Sequence, residues 1–162
     1  LWAKTHPISS ASLVSIFTYA LILYGLISLL SLTAGFYEVN KKNNPFGKSL
    51  IFFWLGIFVW GDAVVIGLFW FLISLICFLL KDWILFLLII STFWIVRSLG
   101  EIIYWINQQF SPIIRNPPET LFGYKLFKND SIWFIYQVFW QCAMVVSIIF
   151  SILLTRVWIN RL

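Results

Sequence analysis

Residues 62–101 read DAVVIGLFWFLISLICFLLKDWILFLLIISTFWIVRSLGE, two apolar runs that meet at one polar dipeptide, Lys81-Asp82. A bilayer crossing takes about 20 apolar residues, so the stretch predicts two membrane helices joined by a tight helical hairpin. Asp62 stands nineteen positions before Lys81, and Glu101 nineteen after Asp82. Antiparallel helices of equal rise place equal counts at equal depth, which sets the two carboxylates level and Arg97 one turn deeper. A charge inside a bilayer costs at least roughly 2.5 kcal/mol on insertion scales and normally faces a bundle interior or a wet cavity. The same stretch therefore points to a site as well as to a fold.

Outward from the hairpin, the second run reaches back to Leu50 and the third continues past Tyr104, and two more runs of spanning length flank them. The expected fold is all-α: a polytopic membrane protein forming a four-transmembrane-helix bundle. It is read as a single integral membrane domain, with spans at about 12–35, 50–80, 83–106 and 132–155. With 62% hydrophobic residues, 10% charged and a mean hydropathy of +0.96, too little polar surface remains for a soluble monomer. The run 50–80 is longer than one crossing requires. Either it is one tilted helix, or Asp62 caps a helix that starts at Ala63 while 50–60 lie in the interface.

Polar residues within the spans fall into stripes. On span three, Arg97, Glu101, Tyr104 and Gln108 recur at spacings of four, three and four, which keeps them on one helical face. Span four repeats this with Gln137, Gln141, Met144, Ser151 and Thr155, and span one with Tyr24, Ser28, Ser31 and Gly35. If spans three and four meet their shared loop at one level, Gln137 stands near Glu101 in depth and Gln141 near Arg97. The expected ligand-binding set is Asp62, Arg97, Glu101, Gln137, Gln141, Tyr104 and Trp94, the last as an aromatic wall three residues from Arg97. The alternative is a structural cluster that fixes helix register, because polar pairs between membrane helices contribute about 0.6 kcal/mol on average.

Span two carries small residues at Gly56, Ala63, Gly67 and Ser74, a pattern that lets helix backbones approach closely. Aromatics make up 20% of the chain, and Trp2, Trp83 and Trp158 are expected at one membrane face with Trp54, Trp105 and Trp133 at the other. The connection after span one holds Lys41, Lys42 and Lys48 around an Asn-Asn-Pro turn. The loop 109–131 mixes Pro112, Pro117 and Pro118 with Leu121, Phe122, Tyr124, Leu126 and Phe127, as a segment in the head-group layer would.

Six basic residues on this loop side (Lys41, Lys42, Lys48, Arg115, Lys125, Lys128) face four on the other (Lys4, Lys81, Arg156, Arg161). The excess favours loops on the pocket side in the cytoplasm, although residues upstream of Leu1 would change the count. Membrane lipids are the expected partners of these cations. A protein partner within the membrane is the other, and no nucleic acid is expected, since basic stripes interleaved with aromatics are absent.

The chain has one histidine, His6, and two isolated cysteines, Cys77 and Cys142, so no metal site and no cofactor are expected. It also lacks a glycine-rich phosphate loop, a Gly-x-Ser-x-Gly elbow and a Cys-x-x-Cys pair, and no catalytic residue is assigned. An acid beside a fixed cation suits proton coupling, capture of a cationic ligand or acid–base work on a lipid. The leading expectation is a membrane protein that binds or transports a small or lipidic ligand through an intramembrane polar pocket, with proton coupling open to it. The alternatives are an accessory subunit of a larger membrane complex and a lipid-modifying enzyme with a buried carboxyl as general acid.

Overall fold

The computed structural model describes residues 10–127 and 129–161, the side chains of 10–14 excepted; Trp2, Lys4, His6 and Lys128 lie outside the described residues. The described chain is all-helical. It runs α1 (Ser10–Asn40), α2 (Trp60–Leu80), α3 (Trp83–Phe110), the single turn α4 (Tyr124–Phe127) and α5 (Ser131–Ile159). α1 from Ser15, α2, α3 and α5 are each long and apolar enough to cross a membrane, making this a multi-pass membrane protein. The chain divides into two compact units, Leu1–Phe86 and Leu87–Leu162.

In the first unit, α1 and α2 pack through small residues. A Cβ on Gly67 would lie 2.7 Å from Ser31 Oγ and 2.9 Å from the Leu32 nitrogen; one on Gly35 would lie 2.8 Å from Ala63 Cβ. Gly25 faces Ser74 in the same way, at 3.3 Å. The small-residue stripe of α2 and the serine stripe of α1 are therefore two sides of one seam. Ser28 and Ser31 are fully buried in it and return their hydroxyl protons to their own helix, at Tyr24 O and Ser28 O, both at 2.8 Å. That bond is how a serine enters an apolar seam without an orphaned donor. Packing, not a pocket, accounts for this part of the α1 stripe.

The second long helix starts at Trp60, not at Leu50. A helix over 50–80 would be ~46 Å long, well beyond a hydrocarbon core of about 30 Å, whereas the 21 residues of α2 span ~31 Å. The preceding residues fold back along it instead. Ser49 donates its N–H to Phe58 O (2.8 Å) and Trp60 donates to Gly47 O (3.1 Å), pairing the two arms of a hairpin. Its tip is a 3-10 turn at Phe53–Leu55, closed by Gly56 in the left-handed conformation (φ +79°) that glycine adopts without a Cβ clash.

The Trp70 indole donates to Leu55 O at 2.9 Å, and the Trp54 ring sits 5.3 Å from that of Tyr24. Trp70 is ten residues into α2, so the tip reaches ~15 Å along the helix. Segment 49–59 is thus a re-entrant hairpin, and Trp54 belongs at its inner tip rather than in an interfacial belt. Leu55, Ile57 and Trp70 are fully buried, as non-helical backbone at this depth requires.

Lys81 and Asp82 make the turn between α2 and α3 with a cap each. Lys81 takes the left-handed conformation (φ +53°), its N–H meeting the carbonyls of Cys77 and Phe78. The Asp82 carboxylate accepts the Leu85 N–H at 3.0 Å, capping α3. Trp83 then stacks on Phe17 at 4.2 Å.

In the second unit, α3 and α5 run antiparallel. Ser151 Oγ donates to Ser91 Oγ at 2.9 Å, Trp94 stacks on Trp140 at 6.2 Å, Trp105 packs on Tyr136 at 4.6 Å, and Gln109 Nε2 donates to Gln137 Oε1 at 2.8 Å.

Two substitutions test this packing. Gly67→Ala drives a Cβ into backbone and should lower stability by about 1–3 kcal/mol, read as a fall in melting temperature in detergent. Gly100→Ala meets no atom within 4 Å and should be neutral or stabilising by up to ~1 kcal/mol. The hairpin is tested with Cys77→Ala and Cys142→Ala as background: Phe46→Cys should react with a membrane-impermeant maleimide applied to both faces, and Trp54→Cys should not until the membrane is dissolved. Equal labelling would place the tip outside.

Candidate functional site

α3 carries its polar groups as a track that runs from mid-helix to the loop. At the inner end, Arg97 Nη2 lies 3.4 Å from Glu101 Oε1, with side chains 21% and 15% exposed. The spacing of four brings the pair together on one helix, so each charge has a counterion one turn away. At 3.4 Å the contact is an ion pair, longer than the 2.7–2.9 Å or so typical of a charge-assisted hydrogen bond.

At the outer end the track reaches Gln108, whose buried amide is used on both sides. Its Oε1 accepts the backbone N–H groups of Arg115 (3.2 Å) and Asn116 (3.1 Å), and its Nε2 donates to Ile113 O (3.2 Å). One side chain therefore folds residues 113–116 back over the end of α3. Asn116 is held twice more: Nδ2 donates to the Tyr104 hydroxyl, and its carbonyl accepts the Trp133 indole N–H at 3.0 Å. Further along the loop, Tyr136 donates to Phe122 O at 3.2 Å. These bonds shape a cleft of about 270 Å³, lined by Tyr104, Asn107, Gln108, Ser111, Ile113 and Arg115.

The residues expected to form the pocket fare differently. Arg97 and Glu101 meet as a pair, and Tyr104 lines the cleft one turn beyond them. Trp94 stacks on Trp140 and so joins α3 to α5. Counted from the Ser91 and Ser151 contact, Gln141 is level with Glu101 and Gln137 with Trp105, as the Trp105 and Tyr136 contact also requires. Both glutamines thus sit one turn nearer the loop than equal helix ends imply. The reason is that α3 continues through Asn107, Gln108 and Gln109 to Phe110, a turn past residue 106, since glutamine is a good helix former. Gln137 accordingly binds Gln109.

Asp62 belongs to the first unit and has a local task there. It lies in the first turn of α2, where its Oδ2 accepts the Phe58 N–H at 3.2 Å and pins the hairpin's outgoing arm. A carboxylate at a helix N-terminus is also favoured by the helix dipole.

Asn107, Ser111, Ile113, Arg115 and Asn116 were not singled out from the sequence as site residues. The available signal was the glutamine ending the α3 stripe, followed within a few residues by a polar stretch between Pro112 and Pro117. Comparison of the chain with protein-family models, with curated proteins and with solved structures finds no match.

Gln108→Leu removes three hydrogen bonds at once. At about 0.5–1.5 kcal/mol net each, the loop should loosen by roughly 1.5–4.5 kcal/mol, and tryptic cleavage after Arg115 should accelerate while Gln109→Leu leaves it unchanged. Equal cleavage of wild type and Gln108→Leu would mean the clamp does not hold the loop.

Proposed function

We propose that this protein is an integral membrane binding protein for a small or lipidic ligand, and that the ligand enters at the cleft over the end of α3. The observation that carries this reading is the lining: five polar residues, Tyr104, Asn107, Gln108, Ser111 and Arg115, with Ile113 alone apolar, at the end of a membrane helix. Polar groups gathered at that level, around a loop shaped by a buried amide, suit an amphiphile held by its head. The Arg97 and Glu101 pair supports the same reading, since it continues the polar face of α3 one to two turns inward from Tyr104.

The accessory-subunit reading draws on a different observation. The apolar window of α5 has none of its residues buried within the chain, which leaves much of that helix's surface to lipid or to a partner.

The test is to purify the protein gently and weigh it with its non-covalently bound molecules, wild type beside Asn107→Trp, which fills the cleft from an exposed position. A molecule retained by wild type and lost from Asn107→Trp at unchanged melting temperature is the expected result. If neither form carries a bound molecule, or both keep it equally, the cleft is not the site and the exposed face of α5 becomes the stronger lead.

A further inference from the structure

We infer that the cleft selects an anionic, phosphate-bearing head group, with Arg115 as its charge contact and the Tyr104 and Ser111 hydroxyls as donors. This rests on the reading of the cleft as a binding site and assigns its ligand class.

The argument begins with proton direction. The Tyr104 oxygen accepts from Asn116 Nδ2, and the Ser111 oxygen accepts from the Ile113 N–H at 3.2 Å. Each hydroxyl is therefore already an acceptor toward the protein, and neither proton goes to an acceptor in any hydrogen bond found among the described residues. A hydroxyl so engaged offers its remaining proton to whatever fills the cleft. Two donors beside an arginine suit a ligand that only accepts, and phosphate oxygens do so while matching the planar guanidinium.

Charge agrees with proton direction. Arg115 is the one ionised side chain in the lining, which contains no carboxylate. Its backbone is fixed through the Gln108 clamp and its side chain is exposed. The negative end of the α3 dipole lies nearby and disfavours an anion, so discrimination depends on Arg115 rather than on the helix.

Position suggests the source. Phe110, Ile113 and Ile114 are exposed apolar residues around the same turn, a rim that suits acyl chains better than water. A phospholipid presents phosphate at that level, and a soluble phosphate ester would present the same group from the aqueous side.

The experiment uses the full chain in nanodiscs of phosphatidylcholine doped with phosphatidic acid or phosphatidylglycerol. Lipids that stay with the protein on release are counted by native mass spectrometry. The expected result is about a tenfold preference for the anionic lipid, the scale of one charge-assisted contact. Arg115→Gln should abolish it, Tyr104→Phe should reduce it, and Lys125→Gln, an exposed charge on α4, should leave it intact.

Phosphatidylcholine offers the same phosphate with its charge offset by choline, so equal retention of both lipid classes, with no response to Arg115→Gln, overturns the assignment of an anionic phosphate and leaves the binding reading standing. An equal effect of Lys125→Gln overturns it too, since the preference is then diffuse electrostatics. Retention of no lipid in any form, with no protection by glycerol phosphate, defeats the binding reading itself. Displacement of the anionic lipid by millimolar glycerol phosphate, in wild type and not in Arg115→Gln, upholds the phosphate chemistry and moves its source to the aqueous side.

Discussion

A backbone amide or carbonyl carried into a bilayer finds no water, so it must find a partner in the protein, and this constraint shapes the chain more than any side-chain contact does. The helices meet it internally. The re-entrant hairpin meets it piecemeal: Phe52 O accepts from Leu55 and Ile57, Phe53 O accepts from Gly56, and Leu55 O takes the Trp70 indole. Trp70 thereby combines two tasks, filling the space between hairpin and helix and capping a carbonyl at depth. Asp62 does the corresponding work at the hairpin's outer end.

The four helices were legible because length and apolarity are nearly sufficient to define a membrane span. The hairpin at 49–59 was not, because an apolar run that lines a loop inside the protein has the same composition as one that forms a helix. What separates them is a single backbone fact, Gly56 at positive φ, together with an excess of length over what the bilayer accommodates. The excess was visible, but its resolution into tilt, interfacial helix or re-entrant turn depends on long-range bonds such as Trp70 to Leu55 that leave no local signature.

The candidate site was legible in part for a related reason. Periodicity set Arg97, Glu101, Tyr104 and Gln108 on one face, which is a property of α3 alone. The register of α5 against α3 is a property of two helices and a loop, and it depended on where α3 stops. One additional turn through Asn107 to Phe110 shifted both glutamines of α5 by a turn. The loop residues that complete the cleft, Ser111, Ile113, Arg115 and Asn116, are brought there by the Gln108 amide, and loop geometry determined by one distant side chain cannot be read from spacing.

The two units hold their helices together in different ways. α1 and α2 meet through Gly25, Gly35 and Gly67 at distances that admit no added methyl without displacement. A seam of that kind has one arrangement. Apart from the close Ser91 to Ser151 contact, α3 and α5 meet instead through long side chains, Trp94 with Trp140, Trp105 with Tyr136 and Gln109 with Gln137. Polar pairs between membrane helices contribute about 0.6 kcal/mol each on average, and rotatable aromatics tolerate small shifts in spacing. The rigid seam therefore supports the re-entrant hairpin, which needs an invariant wall, while the more compliant seam carries the polar track and ends at the cleft. The proposed binding function would draw on that division, because the energy needed to admit a ligand between α3 and the returning loop would come from contacts that are individually weak and readily remade.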